Sequence, residues 1–197
     1  DDPQAKQFDS FNCTGFSTTN PYEILWRRLF NEKINFSDRY LGIIAGTKPP
    51  GNDPHKVAEA ARKDGLIPDS LLPFSPDLKN ADEYFSFKGG DEAECKKAAE
   101  EFLRNYEIGH DYLPSDDEEV SGRKTISKET IKRALKSSPL GIAVFAWAER
   151  NGKYFRPEGR GDSHWTDAVL VKVLENGDYM IYDSYAPFIK ILESNFP

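Results

Sequence analysis

The sequence predicts an α+β protein, with its helices in the first part of the chain and its strands in the last part. Apolar residues recur at helical spacing in several segments between residues 13 and 135. Short apolar runs bounded by glycine, proline and asparagine follow from residue 140 onward, and they are typical of strands. The chain has 197 residues, which suits one large domain or two lobes that share one interface.

Cap residues and helix breakers set the expected helix boundaries. A long helix is expected from Cys13 to about Lys33. Pro21 should kink or restart it, because the residue before a proline avoids helical geometry. The other predicted helices start after Ser37, run from His55 to Lys63 before Gly65, run from Asp91 to Asn105, and start at Ser127. Residues 66–84 are expected to form an ordered coil, and the acidic residues 107–123 an exposed loop.

The last third of the chain predicts strands. Residues 141–147 form a continuous apolar run that indicates a buried strand, and another strand is predicted over Ala168–Leu174. Asn176-Gly177 is a strong hairpin signal, because both residues accept the positive φ that a tight β-turn requires. The chain is then expected to return as a strand over Tyr179–Tyr185.

The composition limits the classes of partner and compartment. The net charge of −7 argues against nucleic acid or an anionic membrane as the main partner, because both are negatively charged. No apolar run approaches the ~20 residues that span a bilayer, and no signal-peptide core is present. Two cysteines, Cys13 and Cys95, cannot form a disulfide framework, which favours a reducing compartment such as the cytoplasm. A single Cys13–Cys95 bridge is an alternative that would exclude Cys13 as a nucleophile.

Cys13 stands where a polar loop gives way to the first helical pattern. Unpaired backbone N–H groups at a helix N-terminus favour the thiolate, which is the nucleophilic form of cysteine. Gln7 lies six residues upstream and can offer a side-chain amide beside the sulfur. A thiolate with two N–H donors suits acyl transfer, because the donors stabilise an oxyanion. The alternative is a buried structural cysteine, since a free cysteine often packs as a small hydrophobe.

This stretch resembles the opening of the papain-like cysteine peptidases of the C1 type. Gln7, Cys13, Phe16 and Ser17 match the family pattern, and Thr14 departs from it where the family usually carries Trp. The resemblance covers nearly the whole chain in the correct order, and it identifies a divergent member. It implies a helical lobe over about residues 8–110, a long central helix led by Cys13, and an antiparallel β-lobe over about residues 125–197. The active cleft would lie between the lobes.

The resemblance also implies a base and its partner. In the family, a histidine on one strand takes and returns protons, and an asparagine late on the next strand orients it. Asp183 and Tyr185 match that second element, with Asp for Asn and Tyr for Trp. The histidine nearest to the first element is His164, three residues before Asp167, which occupies the expected position. Three residues of regular strand span roughly 10 Å, so His164 can serve only if Trp165, Thr166 and Asp167 form a bulge or loop that folds the imidazole back.

Three further assignments follow from the resemblance or compete with it. Gly51 and Asn52 stand where the family has a Gly-Gly pair that binds the substrate backbone, and Tyr185 would shield the base. An ordinary turn glycine is the alternative for Gly51. An ordinary strand-end acid is the alternative for Asp183.

The expected function is hydrolysis of peptide or isopeptide bonds by a thiol protease, through a thioester on Cys13. The catalytic triad would be Cys13, His164 and Asp183, and Gln7 would complete the oxyanion hole. The alternative is a catalytically inactive domain that binds an extended peptide or serves as an interaction module, because Asp167 occupies the expected histidine position. A transferase or amidase with the same chemistry is a weaker alternative. No metal or nucleotide cofactor is implied, and the expected partner of the monomer is a peptide or protein substrate.

Overall fold

The computed structural model describes residues 10–113, 118–120, 123–144, 148–155, 164–183 and 187–194. The helices in these residues are α1 Cys13–Phe30, α2 Asp38–Ile44, α3 Pro54–Asp64, α4 Ala81–Tyr84, α5 Glu92–Asn105 and α6 Lys128–Leu135. The strands are β1 Glu118–Val120, β2 Arg123–Thr125, β3 Leu140–Val144, β4 Ala148–Arg150, β5 Lys153–Phe155, β6 His164–Val173, β7 Tyr179–Tyr182 and β8 Ile189–Leu192. The predicted α+β class is confirmed.

Polar side chains cap four helices at the predicted starts. The side chains of Ser37, Asp53, Asp91 and Ser127 each accept a backbone N–H in the first turn of α2, α3, α5 and α6. These bonds satisfy donors that have no acceptor inside the helix. Gly65 ends α3 with a φ of 82°, which a residue with a side chain rarely adopts. The predicted starts of these helices are therefore confirmed.

The first helix continues through Pro21, so it does not restart there, which was one of the two predicted outcomes. A proline lacks the N–H that would otherwise bond to the carbonyl four residues earlier, here that of Ser17. Packing holds the helix beyond this point, because Tyr22 and Trp26 contact a buried cluster formed by α2, α3 and their flanking segments. The first turns of α1 are buried on all sides, whereas its last turn is exposed.

Two apolar clusters and one buried cation build the helical part. One cluster contains Phe36, Leu41, Val57, Ala60, Ala61 and Leu66, and the other contains Tyr40, Ile67, Leu72, Cys95 and Ala99. Arg39 is only 1% exposed, and its guanidinium donates to the carbonyls of Pro73, Glu83, Tyr84, Ser86 and Lys88. One side chain of α2 therefore holds residues 73–88 in place. This segment includes α4, so the prediction of coil over residues 66–84 is wrong at Ala81–Tyr84.

The larger of the two described sheets has six strands in the order β3-β6-β7-β8-β5-β4. Its neighbours are antiparallel except β5 and β8, which run parallel where Tyr154 pairs with Leu192. The expectation of a purely antiparallel sheet is wrong at this pair. β8 lies between β7 and β5, and it runs in the same direction as β5. One face carries Tyr179, Ile181 and Leu192, and it packs against apolar residues of α6.

Some strands lie where the sequence predicted none. β1 and β2 pair antiparallel inside or beside the stretch that was expected to be an exposed acidic loop. β4, β5 and β8 are three- or four-residue strands that had no recognisable alternation of their own. The hairpin between β6 and β7 is confirmed, and its loop has three residues, since the N–H of Leu174 donates to the Asp178 carbonyl.

Candidate functional site

Cys13 is the first residue of α1, and its side chain is half-buried. The N–H groups of Gly15 and Phe16 donate to the Asn12 carbonyl at 2.9 and 3.2 Å, which fixes the helix start just before the thiol. The first N–H groups of any helix have no acceptor inside it, and that of Cys13 is one of them. The predicted position of Cys13 at a helix N-terminus is confirmed.

The two cysteines are both free thiols, which excludes the Cys13–Cys95 bridge. Cys95 is fully buried in the middle of α5, with its Sγ 3.9 Å from the Leu71 carbonyl oxygen. Burial raises the pKa of the Cys95 thiol, and Glu94 raises it further. Cys95 is therefore a structural cysteine, as predicted, and Cys13 is the more accessible of the two.

A buried polar pocket holds the residue that precedes Cys13. The Asn12 side chain is fully buried, and its Nδ2 donates to the Asp38 carbonyl at 2.8 Å and to the Tyr84 hydroxyl at 3.0 Å. Gly15 of α1 and Gly42 of α2 line this pocket. A Cβ added at either glycine would lie within 3 Å of Asn12 side-chain atoms. The two glycines thus leave space for the amide that anchors the start of α1.

Acidic groups surround the far side of this pocket. The Thr19 hydroxyl donates to the Asp38 carboxyl, and the Phe36 N–H donates to Glu23 Oε1 at 2.8 Å. Burial raises the pKa of Asp38 well above its ordinary value, and the nearby Glu23 carboxylate raises it further. The neighbourhood of Asn12 therefore favours a protonated, uncharged Asp38.

Gly51 lies beside the segment that leads into Cys13. Phe11 has a φ of 56°, and a Cβ added at Gly51 would be 3.7 Å from the Phe11 carbonyl oxygen. The Asn52 side chain is used within its own loop, where Nδ2 donates to the Ala45 carbonyl and to the Thr47 hydroxyl. Of the two predicted substrate-binding residues, Gly51 is next to the approach to Cys13, and Asn52 shapes the loop.

β6 links the sheet to the helix that carries Cys13. Both β6 and β3 contact α1. His164 begins β6 and pairs with Val144 of β3, and its backbone is therefore tied to the strand pair that lies against α1.

A bulge lies in β6 next to the residue that occupies the expected histidine position. Thr166 and Val169 pair with Ile142 and Gly141, which are neighbours in β3. Asp167 and Ala168, which lie between Thr166 and Val169, therefore have no partner in β3. Two extra residues shorten the advance of the strand by about 7 Å. The bulge therefore lies later than the predicted one over residues 165–167, because Trp165 and Thr166 keep regular pairs with Ala143 and Ile142.

The register also relates His164 to Asp183. Leu170 of β6 pairs with Leu140 on one side and with Ile181 on the other. Alternate residues of a strand share a face, and partners across a ladder do too. Followed through β3, these pairs put His164 on the face of the sheet that also carries Ile181 and Asp183.

Asp183 lies at the end of β7 in a fully buried ion pair. Its Oδ2 is 2.7 Å from Lys190 Nζ, and the two side chains are 0% and 2% exposed. The Asp183 N–H donates to the Phe188 carbonyl at 2.8 Å, and Lys190 Nζ donates to the Pro187 carbonyl at 2.8 Å. This burial and pairing go beyond what a strand-end turn acid requires.

The sequence interpretation missed two residues that shape this region, Asn12 and Lys190. Asn12 resembled an ordinary loop residue, and only its contacts with distant segments reveal the pocket. The signal for Lys190 was a lysine between two isoleucines, which indicates an inward charge only if the segment is already known to be a strand.

The other two histidines of the chain lie in its helical part. His55 and His110 contact each other through ring nitrogens at 2.9 Å, between α3 and the segment after α5. Gln7 and Tyr185 lie outside the described residues.

Comparisons with known proteins give no family for this chain. No protein-family model matches the sequence, and no curated protein is significantly similar to it. Among the described helices, none is long and apolar enough to cross a membrane. Within the described part of the chain, no cluster of three or more His, Cys, Asp or Glu side chains is arranged to hold a metal ion.

Proposed function

We propose that this protein is a cysteine peptidase with a papain-like two-lobe fold, which hydrolyses peptide or isopeptide bonds through a thioester on Cys13. The observation that carries the proposal is the free, half-buried Cys13 thiol at the N-terminus of α1, a helix that packs against the strand beginning with His164. The shared register face of His164 and Asp183 supports the same assignment.

In the proposed reaction, the Cys13 thiolate attacks the carbonyl carbon of the scissile bond, and the carbonyl oxygen becomes an oxyanion. The Cys13 backbone N–H and the Gln7 side-chain amide donate to that oxygen. His164, which holds the thiol proton, gives it to the leaving amine as the C–N bond breaks. Water then attacks the thioester with His164 as the base, the acid product leaves, and the proton returns to the thiolate. Asp183 orients the imidazole throughout.

Gly51 supplies the substrate-binding part of the proposal. A glycine at φ 142° beside the Phe11 carbonyl leaves the backbone of this loop open to close approach. Gly51 itself is half-buried and its N–H donates to the Lys48 carbonyl at 2.7 Å, so an extended peptide that passes in front of Cys13 would lie beside this turn. This position favours a peptide or protein substrate over the other acyl groups on which the weaker transferase or amidase alternative would act.

The second candidate is a catalytically inactive domain that binds an extended peptide. Its motive is Asp167, which occupies the position where the papain-like pattern expects the histidine. A carboxylate beside a cysteine disfavours the thiolate, so this arrangement would leave Cys13 unreactive. The two candidates therefore differ in the reactivity of one thiol.

Alkylation tests the proposed nucleophile. The protein is treated with iodoacetamide at pH 6, and the modified cysteines are mapped by mass spectrometry. Cys13 should react much faster than Cys95, which serves as an internal control because it is buried in α5. A peptide library should be cleaved by the wild type and left intact by Cys13→Ala. Equal labelling of both thiols, or cleavage by Cys13→Ala, would show that the nucleophile is misassigned.

Variants at the two competing positions decide between enzyme and inactive domain. The rate of Cys13 alkylation is measured from pH 5 to pH 9 in the wild type, His164→Ala and Asp167→His. If His164 is the base, His164→Ala should slow the reaction at pH 6 to the rate of an ordinary thiol, and Asp167→His should have much less effect. A wild-type protein that is slow at pH 6, unchanged by His164→Ala and accelerated by Asp167→His would establish the inactive domain instead.

A further inference from the structure

The buried pair of Asp183 and Lys190 is built into the sheet from both sides. Ile181 of β7 pairs with Lys190 of β8, so Lys190 shares the buried face of the sheet. The Asp183 N–H bonds to Phe188 across the same two strands. Lys190 Nζ lies 2.7 Å from Asp183 Oδ2 and 5.6 Å from the centre of the Tyr154 ring on β5. The cation is therefore enclosed by a carboxylate, a carbonyl and an aromatic face.

Stability alone is a weak reason for this arrangement. Desolvating two charges costs several kcal/mol for each ion, and replacing such a pair by apolar residues is often neutral or stabilising. Tyr179, Ile181 and Leu192 of the same face pack against apolar residues of α6. A buried salt bridge beside this apolar cluster suggests that the charge of Asp183 has a use.

The groups around the pair define what can titrate there. Tyr154 of β5 faces the pair, and burial raises the pKa of its hydroxyl, with the charges of Glu149 and Asp183 adding to the effect. α6 packs Ile131 and Leu135 on this face, and its Lys128 Nζ lies 5.4 Å from the centre of the Tyr179 ring and donates to the Gly177 carbonyl at 3.1 Å. The register adds His164 of β6 to the same face. Lys190 is the cation that holds Asp183 from β8.

We propose that Lys190 is a positioning residue of the active site, which keeps the buried Asp183 carboxylate ionised and oriented toward the face that carries His164. The inference rests on the proposed function, because it gives Asp183 its role through His164. Without the Lys190 cation, burial favours the protonated form of Asp183, and a protonated carboxyl stabilises an imidazolium less well than a carboxylate does. The catalytic effect of losing Lys190 should therefore depend on pH.

The experiment compares the pH profiles of kcat/KM for Lys190→Met, Lys190→Arg and the wild type. In Lys190→Met, the acid limb of the profile should move up by about one to three pH units, the range in which an adjacent opposite charge shifts a carboxyl. Activity at pH 8 should be much less affected than activity at pH 5.5. Lys190→Arg keeps a cation and should restore the wild-type acid limb. A purely structural role would lower activity equally at every pH.

Two further variants separate the pair from the sheet. Lys153→Met removes another lysine that pairs with an aspartate of the same sheet, Asp178 at 2.6 Å, but its side chain is 42% exposed. It should leave the acid limb unchanged. In an Asp183→Asn background, which contains no carboxylate at that position, adding Lys190→Met should not move the acid limb further. This double variant buries no unpaired charge, so it keeps the test available if Lys190→Met alone folds poorly.

A carbon-13 NMR titration measures the pH at which the Asp183 carboxyl gains its proton, and it needs no activity measurement. Asp183 should titrate at higher pH in Lys190→Met than in the wild type. If that shift occurs while the acid limb of kcat/KM stays in place, the positioning role is overturned and the peptidase proposal stands. If neither moves, the inference fails at its first step. A wild type that cleaves no peptide and whose Cys13 ignores His164→Ala overturns the proposed function and the role of Lys190 with it.

Discussion

Gly15→Ala tests whether the Asn12 pocket sets the position of Cys13. Gly15 lies in the first turn of α1, where alanine would ordinarily stabilise a helix by about 1 kcal/mol relative to glycine. The structure predicts the opposite sign. A Cβ at Gly15 would lie 2.5 Å from Asn12 Oδ1 and 2.6 Å from Asn12 Cγ, both well inside van der Waals contact.

The size of the effect follows from what Asn12 would lose. The Asn12 amide cannot move aside without breaking its bonds to the Asp38 carbonyl and the Tyr84 hydroxyl. Two such hydrogen bonds contribute about 1–3 kcal/mol together. Overpacking costs about 1–3 kcal/mol when the bonds are kept instead. After subtraction of the helix-propensity gain, Gly15→Ala should lower the free energy of unfolding by up to about 2 kcal/mol.

Urea unfolding gives this value, and the rate of Cys13 alkylation shows whether the thiol has moved with Asn12. A double-mutant cycle of Gly15→Ala with Asn12→Ala tests whether the clash with Asn12 is the cause, since Asn12→Ala empties the pocket. In that background, Gly15→Ala should become neutral or stabilising. Gly109→Ala is the control, because a Cβ there meets no atom within 4 Å. A stabilising Gly15→Ala in the wild-type background would refute the reasoning.

Three further predictions concern stability. Arg39→Met should cost at least about 4 kcal/mol, because it removes a buried guanidinium from five carbonyls, one of them buried and four part-buried. The exposed Arg104→Met should cost less than about 0.5 kcal/mol in the same urea experiment. Asp38→Asn should make the protein more stable at pH 7 and flatten the dependence of its unfolding free energy on pH. The raised pKa of Asp38 means that the folded state holds the proton more tightly, so wild-type stability falls as pH rises above about 4. Cys13→Ala should change the unfolding free energy by about 1 kcal/mol or less, because it removes only one half-buried sulfur.

Each of these has an outcome that contradicts it. A loss below about 2 kcal/mol in Arg39→Met would mean that water replaces the guanidinium. Asp91→Asn is the control for Asp38→Asn, since Asp91 is an exposed N-cap and asparagine caps equally well. If both variants change the slope of the unfolding free energy against pH equally, Asp38 has no special role. If Cys13→Ala is unfolded at room temperature, Cys13 is a structural cysteine that the fold requires.

The sequence alone determined the class of the fold, most helix starts and the place of Cys13. These features depend on interactions within a few residues. An N-cap side chain bonds to an N–H three positions away, as Ser37 does with Tyr40 and Asp91 does with Glu94. A thiol at the first position of a helix follows from the same local rules. The hairpin at Asn176-Gly177 was equally visible, because its turn chemistry is contained in the turn.

The tertiary structure decided the features that depend on distant partners. α1 continues through Pro21 because Tyr22 and Trp26 find a cluster made by other helices. The bulge at Asp167 exists only relative to β3, and it changes the assessment of His164 because it alters the spacing along the strand. The pairing of Asp183 with Lys190 required the register of β7 and β8, which the pattern of Ile189–Leu192 could not specify. The alternation of apolar and polar residues in a four-residue strand is too short to predict which face is buried. Only the pairing of β8 with its neighbours therefore places Lys190 on the buried face.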